Sequence, residues 1–274
     1  MKSFRATVVT WLAATVLAGN AAAAGLPDRI ATRGSLIVPV VPNYPPLEFR
    51  DPATNALTGF DIDLGAALAQ KLGVKIDWQE TAFEQMIPAL ATGRVDAIMS
   101  GMSDLASRHD AASFVDYLRS GPQFFTQGSR AGEFSDMQAL CGKSVGASRR
   151  TSFPKEIAAW SGAHCGDKAI KFVGTEGSAD ARTQLRQGRI DAAVQGNETL
   201  SYVMTQEPNV YVTIGAPIGA QLTGIALSKD DAALQAAVAG ALDAVIADGA
   251  YKALLDKWRL STNGIEKATI NAGQ

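Results

Sequence analysis

Few residues in this chain have the type and spacing that covalent chemistry needs. There are two histidines, His109 and His164, and two cysteines, Cys141 and Cys165. Neither a Gly-x-Ser-x-Gly nucleophile turn nor a His-Glu-x-x-His zinc motif occurs. His109 has the chemistry of a general acid if it faces a cleft, but solvent exposure is the expectation for both histidines. Two cysteines without clustered histidines do not make a zinc site, so no metal is expected. Gly142-Lys-Ser144 looks like the tail of a phosphate loop. Met137 stands where that loop needs its upstream glycine, so neither nucleotide binding nor any other cofactor is expected. What remains suits non-covalent binding. Arg150-Thr-Ser152 precedes a helix predicted to begin near Pro154. Thr151 and Ser152 would then present N–H and hydroxyl groups at a helix N-terminus, a place that favours anions; the same residues also suit ordinary capping.

These residues must be held by a scaffold, and the scaffold shows in a repeat. Leu90-Ala-Thr-Gly-Arg-Val-Asp-Ala-Ile-Met-Ser-Gly101 is echoed by Leu185-Arg-Gln-Gly-Arg-Ile-Asp-Ala-Ala-Val-Gln-Gly196. Each copy reads as a helix end, a glycine able to turn left-handed, and a short apolar strand. Around the first copy, strands at 36–41, 74–79 and 95–99 alternate with helices at 60–72 and 83–92. Around the second, strands at 143–147, 169–173 and 210–214 alternate with helices at 154–160 and 179–187. A strand at 224–227 and two helices separated by Gly249 follow. This cadence predicts α/β architecture: two lobes, each a mainly parallel sheet flanked by helices. No low-complexity linker divides them, so the chain is expected to cross between lobes through strands near 120–126 and again near 215–224. A cleft between two such lobes is the natural place for a ligand.

The 274 residues suffice for one large domain or two ordinary ones, 47% of them are apolar, and the formal net charge is −2. Without a basic run or basic–aromatic stripe, nucleic acid is not an expected partner. Lys2 and Arg5, an apolar stretch from Ala6 to Gly19 and small residues at 21–24 predict a signal peptide cleaved after Ala24. Export and an even cysteine count predict a Cys141–Cys165 disulfide.

Four motifs in order carry a family resemblance: Tyr44-Pro-Pro-Leu-Glu-Phe49, Gly59-Phe-Asp-Ile-Asp-Leu64, Met86-Ile-Pro-Ala-Leu90 with Gly93, and Ser100-Gly-Met-Ser103 with Arg108. Over roughly residues 30–260 the chain resembles bacterial extracellular solute-binding proteins of family 3, the periplasmic components of ABC importers for polar amino acids. The resemblance implies a hinged two-lobe clamp, with 25–122 and 220–274 as lobe 1 and 123–219 as lobe 2. It implies a monomer that closes on a small carboxylate-bearing solute and is read by a permease in the inner membrane. Arg108 matches the family's carboxylate-binding arginine, whose planar fork makes two parallel charged hydrogen bonds that lysine cannot reproduce. Ser100, Gly101 and Ser103 match the residues at the strand end beside it. Tyr44 and Phe83 match the aromatic walls of the side-chain pocket, although Phe83 also suits the apolar core face of its helix. Arg150, Thr151 and Ser152 match the lobe-2 anion contacts, and Gln195, Gly196 and Asn197 the segment that faces the ligand's amino group. A few periplasmic cyclohexadienyl or arogenate dehydratases share this fold, which makes an enzyme the alternative.

Two departures from the family pattern stand out. Gly196 occupies the position where amino-acid binders carry an ammonium-pairing Asp, and Arg150 occupies that of a usual Gly. Both changes are expected to make the pocket more positive. An ammonium enclosed without a partner costs several kcal/mol. The ligand is therefore expected to be a carboxylate other than a standard α-amino acid, unless Asn197, Glu198 or the more distant Glu48 takes over.

Overall fold

The computed structural model describes residues 25–273; the expected signal segment, 1–24, lies outside the described residues. The two copies of the repeated phrase fold alike. Helices Phe83–Ala91 and Ser178–Arg186 end at Thr92 and Gln187. Gly93 and Gly188 follow with φ of 69° and 67°, a conformation that costs a residue with a Cβ but not glycine. Strands Ala97–Ile98 and Ala192–Gly196 come next. The aspartate in each copy ties its strand to a neighbour. Asp96 accepts the Ile37 N–H at 2.8 Å, and Asp191 accepts the Ser144 N–H at 2.8 Å. These carboxylates satisfy backbone donors that would otherwise be unpaired where two strands begin.

The strands form two separate groups of sheets. In the first, Ser35–Val40 runs parallel to Lys75–Glu80. Gln221–Leu227 pairs antiparallel with Ala97–Ile98, Ser103–Asp104 and Ser113–Ser120, and Thr269–Ile270 extends the far side of Ser113–Ser120. The second group is one five-stranded sheet in the order Lys171–Thr175, Ser144–Ser148, Ala192–Gly196, Pro122–Gln127, Tyr211–Ile214. Its first three strands are parallel, as alternation with helices requires, and the last two are antiparallel to their neighbours. The antiparallel strands are those that lead the chain from one group to the other. Ser113–Ser120 ends in the first and Pro122–Gln127 starts in the second, with Gly121 between them. The return lies between Ile214 and Gln221.

Each group has its own apolar core. Helices Phe60–Leu72, Ala232–Ala247 and Ala250–Trp258 bury Leu64, Leu68, Leu242 and Tyr251 against the first. Trp160, Ile157, Phe124 and Val145 fill one face of the second, and Leu185, Leu200 and Phe125 the other. Separate cores allow the halves to move as units. The expected disulfide is present: Cys141 and Cys165 are bonded, with Cα atoms 5.2 Å apart. Two α-helices, Asp28–Arg33 and Asn197–Gln206, are not foreshadowed by the sequence pattern, and the second bears directly on the site.

Candidate functional site

A cavity of about 390 Å³ lies between the two groups of sheets, where the C-terminal ends of strands converge. Its first wall holds Tyr44, Glu48, Phe83, Ser100, Gly101, Ser103 and Arg108. Its second holds Ser148, Arg150, Thr151, Ser152, Ser178 and Glu198.

Arg108 closes the short 3₁₀ turn Ala106–Arg108. Its Nη1 donates to the Ser103 carbonyl at 2.6 Å, which aims the guanidinium. Burial draws its pKa down from the usual arginine value. A partly desolvated guanidinium with one carbonyl partner has N–H groups left for an anion. The Phe83 ring lies 6.0 Å from its central carbon. Ser100 donates to Glu48 Oε1 at 2.8 Å and accepts the Val41 N–H at 3.2 Å. The Gly101 N–H reaches Asp61 at 3.1 Å.

From the second wall, Glu198 enters on the first turn of Asn197–Gln206. The side chain folds back over Gly196, so that a Cβ built on Gly196 would collide with its carboxylate. Tyr44 OH donates to Oε1 at 3.0 Å and Ser120 Oγ to Oε2 at 2.5 Å. Burial raises the Glu198 pKa, while the hydrogen bonds from Ser120 and Tyr44 hold it down. A cation arriving beside it would favour the charged form.

Further contacts bridge the two walls. Arg150 pairs with Glu84 at the rim. Gln221 Oε1 accepts from Ser103 Oγ and Ser152 Oγ, each at 3.1 Å, and its Nε2 donates to Glu156 at 3.1 Å. Thr151 Oγ1 donates to the Ser148 carbonyl at 2.9 Å, holding the turn before helix Phe153–His164. The structure thus has the cleft bridged by side chains from both sides.

A family model, bacterial extracellular solute-binding proteins, family 3, matches residues 36–261. The chain belongs to that family. It is 29% identical over 254 residues to the L-arginine-binding protein of Pseudomonas aeruginosa, covering 90% of this chain and 93% of that protein. It is 29% identical over 252 residues to the histidine-binding periplasmic protein of Salmonella typhimurium, covering 87% and 90%. Among solved structures, an ancestral arginine-binding protein bound to arginine superposes with a TM-score of 0.74 at 29% identity, covering 82% of this chain and 98% of that one. These relatives carry binding-protein names, which supports solute binding over the dehydratase alternative.

Within this family-3 clamp, nine of the twelve residues singled out as ligand contacts line the cavity: Tyr44, Phe83, Ser100, Gly101, Ser103, Arg108, Arg150, Thr151 and Ser152. The other three do not. Gln195 is buried and holds Arg182 and Thr199. Gly196 is screened by Glu198. Asn197 donates its N–H to the Gly121 carbonyl at 2.9 Å and accepts from Asn263. The expected loss of a carboxylate at Gly196 is therefore corrected. Glu198 brings one to the same space from two residues further on, and the argument for a ligand without an ammonium falls with it. The expected gain of a free positive charge at Arg150 is corrected as well, because Glu84 neutralises it. His109 is half-buried against Asp104 at 2.5 Å rather than exposed, and it does not line the cavity. His164 is exposed, as expected.

Proposed function

We propose that the chain binds an α-amino acid, with the ligand carboxylate on Arg108 and its ammonium on Glu198. The observation that carries this is one half-buried guanidinium and one buried carboxylate lining the same cavity from opposite walls. A zwitterion neutralises both groups at once, and each hydrogen-bonded charge pair is strong in a site closed to water. The arginine and histidine binders among its relatives support an amino acid as the solute class.

Residues 25–122 with 220–274 form one arm of the clamp and 123–219 the other, hinged at Gly121 and the 215–220 return. The chain acts as a monomer in the periplasm, exported through the 1–24 signal, and hands its solute to an inner-membrane permease that reads the closed form.

Isothermal titration of ligand-stripped protein with free amino acids tests the assignment. Arg108→Ala should abolish measurable binding while the melting temperature stays within a few degrees, since the side chain makes one hydrogen bond. Retained affinity in that variant refutes the site.

A further inference from the structure

The lining of the cavity contains six ionisable side chains that carry full charges in water: Glu48, Glu84, Glu176, Glu198, Arg108 and Arg150. On the binding mode proposed above, Arg108 and Glu198 hold the ligand's main-chain charges. The other four decide what its side chain meets.

Glu84 and Arg150 neutralise each other across the rim. Glu176 pairs with Arg149 at 2.7 Å. Both pairs are about half exposed and sit at the mouth, not in the interior. A charged side chain reaching them would have to displace a partner that is already in place, and it would still be in water. Exchange of one solvated pair for another yields little affinity.

Glu48 is the remaining group, and it faces the interior. It is 1% exposed, and its Oε1 takes the hydrogen bond from Ser100. Its Oε2 is buried without a donor. Next to it is Asp61, whose carboxylate accepts from Tyr117 OH at 2.9 Å and from the Gly101 N–H at 3.1 Å. Two adjacent carboxyl groups sealed from water do not both ionise. Asp61 has donors from Tyr117 and Gly101, whereas Glu48 Oε2 has none, so Glu48 holds the proton on Oε2 and turns it toward Asp61. Burial and the Asp61 charge raise the Glu48 pKa well above the usual carboxylate range, in keeping with this.

We infer that the side-chain part of the cavity presents no ionised lining group, the one negative charge of the Glu48–Asp61 pair being held on Asp61 behind the wall, and that the ligand is an α-amino acid with an uncharged side chain packed against the Tyr44 and Phe83 rings. This rests on the main-chain binding mode proposed above. It sets the chain apart in substrate class from the arginine and histidine binders it resembles. A guanidinium or ammonium side chain would meet no ionised lining group, because the Asp61 charge is sealed behind Glu48 and already taken by Tyr117 and the Gly101 N–H, and a carboxylate side chain would meet no unpaired base. Either would be desolvated without compensation.

The test is titration of ligand-stripped protein at pH 7 with a panel: leucine, phenylalanine, glutamine, threonine, arginine, lysine, aspartate and glutamate. At least one of the four neutral members should bind ten times more tightly than each of the four charged ones. A charged member binding as tightly as the best neutral one overturns the inference while leaving the main-chain mode standing. Failure of the whole panel refutes the main-chain mode and the inference with it. A second arm probes the rim pairs directly. Glu84→Gln frees Arg150 and should improve aspartate and glutamate relative to the best neutral ligand by at least fivefold. An unchanged ratio means that the rim pair is not what excludes acids, and it counts against the inference.

Discussion

The Glu198 carboxylate fills the space that a side chain on Gly196 would take. The two positions are thus alternatives for one carboxylate, and only one can be occupied at a time. Glycine at 196 makes room; its φ of −62° and ψ of 138° are open to any residue, so backbone strain is not the reason for it. Glu198→Gln should weaken amino-acid binding by about tenfold or more, since it removes the charge opposite the ammonium. Gly196→Asp alone should disrupt the site by collision. Gly196→Asp combined with Glu198→Ala should recover much of the affinity, because it moves the carboxylate to the alternative attachment point. Calorimetry on these three variants and on Glu198→Ala decides this. A double variant no better than Glu198→Ala alone would mean that the shared space has no shared role.

The Arg150–Glu84 pair spans the cleft at its rim, so it forms only when the two walls approach. An exposed pair of this kind responds to ionic strength. Raising salt from low concentration to about 0.5 M should weaken ligand binding about two- to fivefold through loss of this contact. The variant Arg150→Gln should bind more weakly at low salt and show a flatter salt dependence. Parallel salt curves for the two proteins would show that the pair does not help to close the clamp.

How far the sequence could be read follows from how local each feature is. The repeated phrase disclosed a helix end, a left-handed glycine and a strand because those depend on neighbours within a few residues, and Gly93 and Gly188 adopt the expected conformation. The motif around Ser100, Ser103 and Arg108 was equally compact, and these three residues line one wall. Glu198 was named only as a substitute. Its reach depends on Asn197–Gln206 being a helix that starts directly at the strand end, and on Tyr44 and Ser120 lying opposite. Leu200 and Val203, three apart and both buried, were the available signal for that helix. The partner of Arg150 lies 66 positions away on the other side of the cleft, so no spacing rule could reveal it. Asp96 and Asp191 were visible as repeated residues, but their bonds to Ile37 and Ser144 exist only once the strands are side by side.

The Cys141–Cys165 disulfide joins the end of the Met137–Leu140 turn to the end of helix Phe153–His164, and neither cysteine lines the cavity. A cross-link spanning 24 positions restricts the unfolded chain by about 3 kcal/mol. Reduction, or replacement of both residues by serine, should therefore lower the melting temperature by roughly 6–12 °C. Ligand affinity at 25 °C should change by less than about twofold, because the link lies within one lobe. A large loss of affinity without a loss of stability would place the disulfide in the clamp's motion instead.

Asp116 predicts how stability varies with pH. It is fully buried, and its Oδ1 has no hydrogen-bond partner. Its Oδ2 accepts from Thr269 Oγ1 at 2.7 Å and from the Ala272 N–H at 3.4 Å, tying the C-terminal segment to strand Ser113–Ser120. Burial, with the nearby Asp104 charge adding to it, pushes the Asp116 pKa up to about 7. An unfolded aspartate titrates near 3.9. The folded state therefore holds this proton more tightly than the unfolded state does. The resulting stabilisation is complete below about pH 4 and is lost as pH rises through 7. Glu48, Asp61 and Glu198 are shifted in the same direction, so they share in the slope. Melting temperature should fall between pH 5 and pH 8. Asp116→Asn keeps an oxygen for Thr269 and Ala272 but carries no charge. It should raise the melting temperature most at pH 8 and less at pH 5, with the difference vanishing toward pH 4, and so flatten the profile. Melts of both proteins across this range decide the matter. If the variant loses stability equally at both pH values, Asp116 serves as an ionised acceptor for the C-terminal segment, and the proton assigned to it is absent.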